Sequence, residues 1–318
     1  MSLALYAAIV LFANVLVVLW GAYVRATGSG AGCGDHWPLC NGEVLPRTPE
    51  VATLIEFTHR ATSGIALLLV LGLVVWTWRA RPAGDRLRFW AAASGALMIS
   101  EALLGAGLVL FRLVAQDAST ARAFAMIAHL INTFALLAAL ALSARWAREP
   151  AAQRGAARGP LPVPLVVALA ALVLIATTGA VAALGNTLFP VRTLAEGLQQ
   201  DFSPTSHFLL RLRVLHPILG IGGGVLVALL AALTAFRSGA QRVLVLAGVV
   251  LSLVIVQVFC GVANLLLLAP VGLQIVHLLL ADALWIAVVL LASVARDPVA
   301  AAAPARGAAP LALVPRNG

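Results

Sequence analysis

The sequence predicts an all-α polytopic membrane protein, with eight transmembrane helices arranged as two pseudo-symmetric four-helix bundles. Three observations lead there. Of the 318 residues, 62% are hydrophobic and only 10% charged, against roughly 45–50% and about 25% in soluble domains, and the mean hydropathy is +1.02. Eight apolar runs are each long enough to cross a bilayer core, which takes about 20 helical residues. The second half of the chain repeats features of the first. So few charges cannot cover a water-facing surface, which excludes soluble enzyme folds and disordered scaffolds.

The first run, 3–24, has no basic residue ahead of it and exceeds a signal-peptide core, so it reads as a retained helix. The others lie at 53–78, 89–111, 123–145, 162–184, 207–236, 243–268 and 273–295. Between the first two is a polar, glycine-rich segment, 25–52, and between the fifth and sixth a second polar segment, 185–206. Residues 146–161, rich in Ala, Arg, Gly and Gln, read as a flexible linker, and the Ala/Pro-rich tail after Arg296 as disordered. The domain reading is therefore 1–146 and 162–296 as two four-helix halves, joined by a linker at 147–161 and followed by a tail at 297–318.

The formal net charge is +9, and all 21 basic residues are arginine, scattered between apolar runs rather than gathered on one face. That distribution argues for membrane orientation and against nucleic acid as a partner. With the N-terminus cytoplasmic, 13 of the 21 arginines fall on inner loops and the tail. The positive-inside pattern thus places both termini in the cytoplasm and the two long polar segments outside. Trp76, Trp78, Trp90 and Trp146 fall near the inner interface.

The repeat is clearest at histidine. Ile127-Ala-His129-Leu-Ile answers Ile275-Val-His277-Leu-Leu, and His59 answers His216. Gly21-Ala22 answers Gly179-Ala180, and Leu104-Gly105 answers Cys260-Gly261. One intramembrane histidine is ordinarily a helix–helix hydrogen-bonding residue. Four of them, one in every second helix and each about two to three turns from its outer end, form a layer of costly polar groups that points to function. Facing imidazoles from different helices are the usual axial ligands of haem iron, giving the pairs His59 with His129 and His216 with His277. Gly64, Gly105 and Gly107 in one half, and Gly220, Gly222, Gly223, Gly224 and Gly261 in the other, can open a slot for a flat macrocycle. Zinc is disfavoured because its sites use clustered, closely spaced ligands.

The halves differ beside the histidines. Glu56 lies three residues before His59, on the same helix face, where the other half has Arg213 before His216. A carboxylate beside an iron macrocycle is a reactive group, whereas an arginine suits haem propionates. This assigns chemistry to the first half and a permanent cofactor to the second, with Glu56 as catalytic residue; the competing reading pairs Glu56 with Arg60 at the interface. His36 and His207 read as solvated or interfacial, and Glu101 and Asp282 as either structural or proton-path groups. Cys33 and Cys40, with six residues between them, lie in a loop made compliant by Gly28, Gly30, Gly32 and Gly34. They read as a disulfide or as a redox-active thiol pair, and Cys260 as a small buried residue.

The segments Gly21-Ala-Tyr-Val-Arg25-Ala-Thr-Gly28-Ser-Gly30-Ala-Gly32-Cys33, Trp37-Pro38-Leu39-Cys40 and Glu56-Phe-Thr-His59-Arg60 resemble haem A synthases, as do the helix count and the four histidines, over roughly residues 1–296. The resemblance implies an oxidoreductase that converts the C8 methyl of haem O to a formyl group, supplying haem A to terminal oxidases. It maps substrate haem to His59 and His129, with Arg60 nearby, and haem b to His216 and His277, with Arg213. It maps the family's outer cysteine pair to Cys33 and Cys40, and its helix-two glutamate to Glu56. Some relatives carry a further cysteine pair in the second half, and 185–206 contains none. Beyond haem O itself, the implied partners are haem O synthase and an electron acceptor, in the plasma membrane. The alternative reading is a non-catalytic cytochrome b moving electrons from quinol, which needs the histidines but no adjacent carboxylate.

Overall fold

The computed structural model describes residues 1–47, 49–150 and 158–297. Among them, apart from an isolated bridge between Cys40 and Glu43 in the first loop, the regular structure is helical: α1 Leu3–Ala26, α2 Val51–Ala80, α3 Arg86–Leu110, α4 Thr120–Ala147, α5 Val163–Leu188, α6 Leu194–Phe202, α7 Phe208–Arg213, α8 Leu215–Ser238, α9 Gln241–Leu266 and α10 Val271–Val294. Eight spans are long and apolar enough to cross a membrane, α7 and α8 together making one of them. Large apolar side chains such as Phe12, Leu68, Phe89, Phe124, Phe236 and Phe259 point outward. With so much apolar surface turned outward, this is a multi-pass membrane protein.

The helices overrun most of the apolar runs by a few residues, because polar caps rather than hydropathy end a helix. Ser2, Asp85 and Ser119 each accept a backbone N–H of the first turn, from Leu5, Leu87 and Arg122. Two features depart from the sequence reading. The single helix expected over 207–236 is broken at Val214, because Pro217 has no N–H for the Arg213 carbonyl and its ring crowds that carbonyl. The polar segment 185–206 contains α6, capped by the Thr193 hydroxyl, which accepts from the Glu196 N–H, while the Glu196 carboxylate accepts from the Arg192 N–H.

In the first half α1 packs on α2, α2 on α3, α3 on α4 and α4 back on α1; in the second, α5, α8, α9 and α10 follow the same cyclic order. The halves meet through α4 and α10 with α1 and α5. At that seam Trp285 stacks on Phe134, with centroids 4.7 Å apart, and donates its indole N–H to the Phe134 carbonyl at 2.7 Å. The linker and tail expected to be flexible fall mainly at residues outside those described. The described ends are tied down: Arg158 pairs with Glu149 and Asp297, Arg145 pairs with Asp297, and Arg296 donates to the Gly159 carbonyl. Trp146, at the end of α4, is buried among the guanidinium groups of Arg86, Arg145 and Arg158.

Candidate functional site

The four histidines sit at one end of the bundle, each near the N-terminal end of its span. His59 is eight residues into α2, His129 nine into α4, His216 two residues past the break at Val214, and His277 six into α10. Three of the four rings are set by a glycine of the helix beside them. A Cβ on Gly21 would come within 2.9 Å of the His59 ring, one on Gly179 within 2.9 Å of His216, and one on Gly261 within 3.1 Å of His277. The correspondence inferred from sequence between Gly21 and Gly179 is thus a physical one, since both glycines seat an imidazole. Gly105 is the exception, with nothing within 4 Å of its Cβ position.

His216 and His277 face each other, with ring centroids 6.2 Å apart and planes at 84°. A metal bound at an imidazole nitrogen at about 2.0–2.1 Å lies roughly 3 Å from the ring centroid. One metal between the two rings therefore needs about the separation seen. Thr178 Oγ1 lies 3.3 Å from His216 Nδ1, and the Gln257 amide nitrogen 3.4 Å from His277 Nε2, while His277 Nδ1 and His59 Nδ1 are buried without a hydrogen bond. Among the described residues no three His, Cys, Asp or Glu side chains converge on a point where they could hold a bare ion. Two imidazoles fit a macrocycle that brings four nitrogen donors of its own. In the first half, Glu101 Oε1 lies 3.3 Å from His129 Nδ1.

Glu56, one turn before His59, is buried. Its Oε1 accepts from Arg60 Nε at 3.2 Å and Nη2 at 2.5 Å, and its Oε2 accepts from the Cys33 backbone N–H at 2.8 Å. Arg60 also donates to the His36 and Leu39 carbonyls. Cys33 and Cys40 are joined as a disulfide, with Cα atoms 4.3 Å apart and both residues buried. The Glu56–Arg60 pair and the cysteine bond are thus one assembly that folds the loop over the end of α2. Gly32 is required there: a Cβ would stand 2.4 Å from the Ala52 backbone, and its carbonyl accepts from Thr53 Oγ1 at 2.7 Å. Because backbone meets backbone, Gly32→Ala should lift the loop, costing about 1–3 kcal/mol and the Cys33–Glu56 hydrogen bond. Thermal unfolding in detergent measures the loss.

Arg213, the counterpart of Glu56, is bound to Asp201 of α6 at 2.6 Å and to Asn186 at 2.9 Å. His207 caps α7 through Leu209 N–H and lies against Phe189 and Phe208. Asp282 is fully buried, and its oxygens have no hydrogen-bond partner among the described residues. Sequence reasoning gave no role to Arg25. From the end of α1 it donates to the Ala183 carbonyl at 2.8 Å and Thr187 Oγ1 at 2.7 Å on α5, and to Gln274 Oε1 at 3.1 Å on α10, one turn before His277. The usable signal was a lone arginine inside the glycine-rich motif.

The chain is similar in sequence to known proteins. The profile of the cytochrome oxidase assembly protein family matches residues 4–289. A protoheme IX farnesyltransferase of Thermus thermophilus is 50% identical over 295 residues, 93% of this chain and 48% of that protein. A heme A synthase of Shouchella clausii is 46% identical over 97 residues, 30% of this chain and 32% of that protein. One from Alkalihalophilus pseudofirmus is 40% identical over 109 residues, 34% of this chain and 37% of that protein. The chain thus spans about half the length of the Thermus relative and about a third of the two synthases. With that profile match over most of its length, the chain belongs to the haem A synthase family of cytochrome oxidase assembly proteins.

Proposed function

We propose that the protein is a haem A synthase that oxidises the C8 methyl of haem O to a formyl group in two steps, using the first half (1–146) for substrate and the second half (162–296) for haem b. One observation carries this reading. Of the two histidine pairs, only one has a carboxylate one turn before its first histidine, Glu56 before His59, where the other has Arg213 before His216. Haem in the second half supplies one-electron redox chemistry when bound, and His216 and His277 hold it. His59 and His129 hold the substrate haem. Both Glu56 oxygens already accept hydrogen bonds, so the carboxylate is held rather than free to swing, and would stabilise the electron-poor carbon left when electrons are removed from the substrate methyl. Its remaining lone pairs can take the proton of an attacking water. Arg60 and the Cys33–Cys40 loop cover it from the aqueous side.

The orientation that suits this chemistry places both termini in the cytoplasm and the haem sites toward the outer face of the plasma membrane, as the arginine distribution favours. The Thermus relative is about twice as long as the matched segment and is named for transferring farnesyl to protoheme. That supports a supply of farnesylated haem close by, from a haem O synthase, with a membrane electron acceptor completing the reaction. Extraction and mass analysis of tetrapyrroles from protein made in haem-O-producing membranes tests the proposal. Haem O, haem A or a hydroxylated intermediate beside haem b is expected. Two equivalents of haem b alone would instead mean an electron-transfer cytochrome.

A further inference from the structure

The polar surroundings of His129 have no counterpart in the other half. Glu101, on α3, places Oε1 3.3 Å from His129 Nδ1, close but off the line of the ring N–H. The same carboxylate accepts from Thr133 Oγ1 through Oε1 and from Asn132 Nδ2 through Oε2. Asn132 is anchored in turn by Ser100 Oγ and the Leu97 carbonyl. The repeat register set by Leu104-Gly105 against Cys260-Gly261, and by His129 against His277, gives each member its partner in the second half. Glu101 answers Gln257, Ser100 answers Val256, Asn132 answers Leu280 and Thr133 answers Ala281. His277 therefore has a neutral amide for a neighbour, lying against Nε2 rather than Nδ1, while its Nδ1 has no hydrogen-bond partner among the described residues. Gly261 lies against the His277 ring, whereas Gly105 has open space where His129 would close on it.

A charged group inside a bilayer is costly to retain, and this one comes with its own hydrogen-bond donors on one side only. A carboxylate beside the Nδ1 of an axial imidazole makes that ligand more basic and favours the more oxidised metal; an imidazole whose Nδ1 has no such carboxylate, as at His277, does so less. We propose that Glu101 is a positioning residue that acts through His129 to set the iron of the first-half haem at a lower midpoint potential than that of the second half. This rests on the two-haem reading above. The Glu101-to-Gln257 difference between the halves is the device.

The test uses the full-length protein in detergent, loaded with iron protoporphyrin IX and titrated redoxically with visible absorbance as the readout. His129→Ala and His277→Ala, each removing one couple, assign the two couples to the two halves. Glu101→Gln should disfavour the oxidised form of the first-half haem by at least about tenfold, raising that couple by about 59 mV for one electron, and leave the second in place. Gln257→Glu should lower the second-half couple in an otherwise intact site. Glu101→Asp should restore part of the first shift. Two bound haems whose couples do not move in Glu101→Gln would overturn the assignment. If Glu101→Gln fails to load, Gln257→Glu decides alone, and an unmoved second couple overturns it. If His129→Ala still binds two haems with both couples unmoved, His129 is no ligand and this inference falls while the two-haem reading stands; if the unaltered protein takes up only one haem, the two-haem reading itself falls.

Discussion

Glu56→Gln is expected to abolish formyl product while the second-half haem stays bound. The substitution keeps the shape of the side chain and an oxygen for Arg60 to donate to. It removes the negative charge and turns an N–H toward the Cys33 backbone N–H, where Oε2 now accepts at 2.8 Å. Losing a positioned base or charge of this kind typically costs 10²–10⁴-fold in rate, so product should fall by at least about 10²-fold. Arg60 retains the His36 and Leu39 carbonyls, so the loop stays seated and a melting curve should separate lost chemistry from lost folding. Mass analysis of the haem products with the bound haem spectrum in parallel checks it. Full turnover in a folded Glu56→Gln protein would remove the carboxylate from the reaction.

His216→Ala and His277→Ala should each cost one haem equivalent per chain and leave the first-half site loaded. The two rings stand 6.2 Å apart on different helices, so neither can be replaced from within its own helix. Gly179→Leu should reach the same end without touching a ligand. A Cβ there already stands 2.9 Å from the His216 ring, and the longer branches must push it away from His277. A bis-imidazole spectrum that persists in Gly179→Leu, or two haem equivalents retained by His216→Ala, would count against the pairing. Pigment stoichiometry by alkaline pyridine assay measures both.

The architecture was legible because lipid imposes a strong constraint: eight apolar runs must be eight helices, and their cores were located to within a few residues. The helix ends were less so, since Asp85 and Ser119 extend α3 and α4 beyond their apolar runs by local hydrogen bonds. The break at Val214 was written in Pro217 and α6 in Thr193 followed by Glu196, short signals outweighed by the surrounding hydropathy. In the site, the histidine correspondence and the Glu56–His59 spacing are periodic along one chain segment, so they could be read directly. Both readings of Glu56 meet in the structure, since it is paired with Arg60 and also lies one turn from His59. The Glu101 network and the Arg25 bridge join residues 31 to 249 positions apart. No one-dimensional pattern marks such contacts, and Glu101 could only be placed inside a helix.

Arg25 spans the seam, with its three bonds landing on two helices of the opposite half. Such a peg resists sliding of one bundle along the other. When the thickness of the surrounding bilayer changes, the cheaper response is for the whole body to tilt rather than to shear at its middle. Lipid composition then alters how the molecule leans without changing the spacing between its two centres.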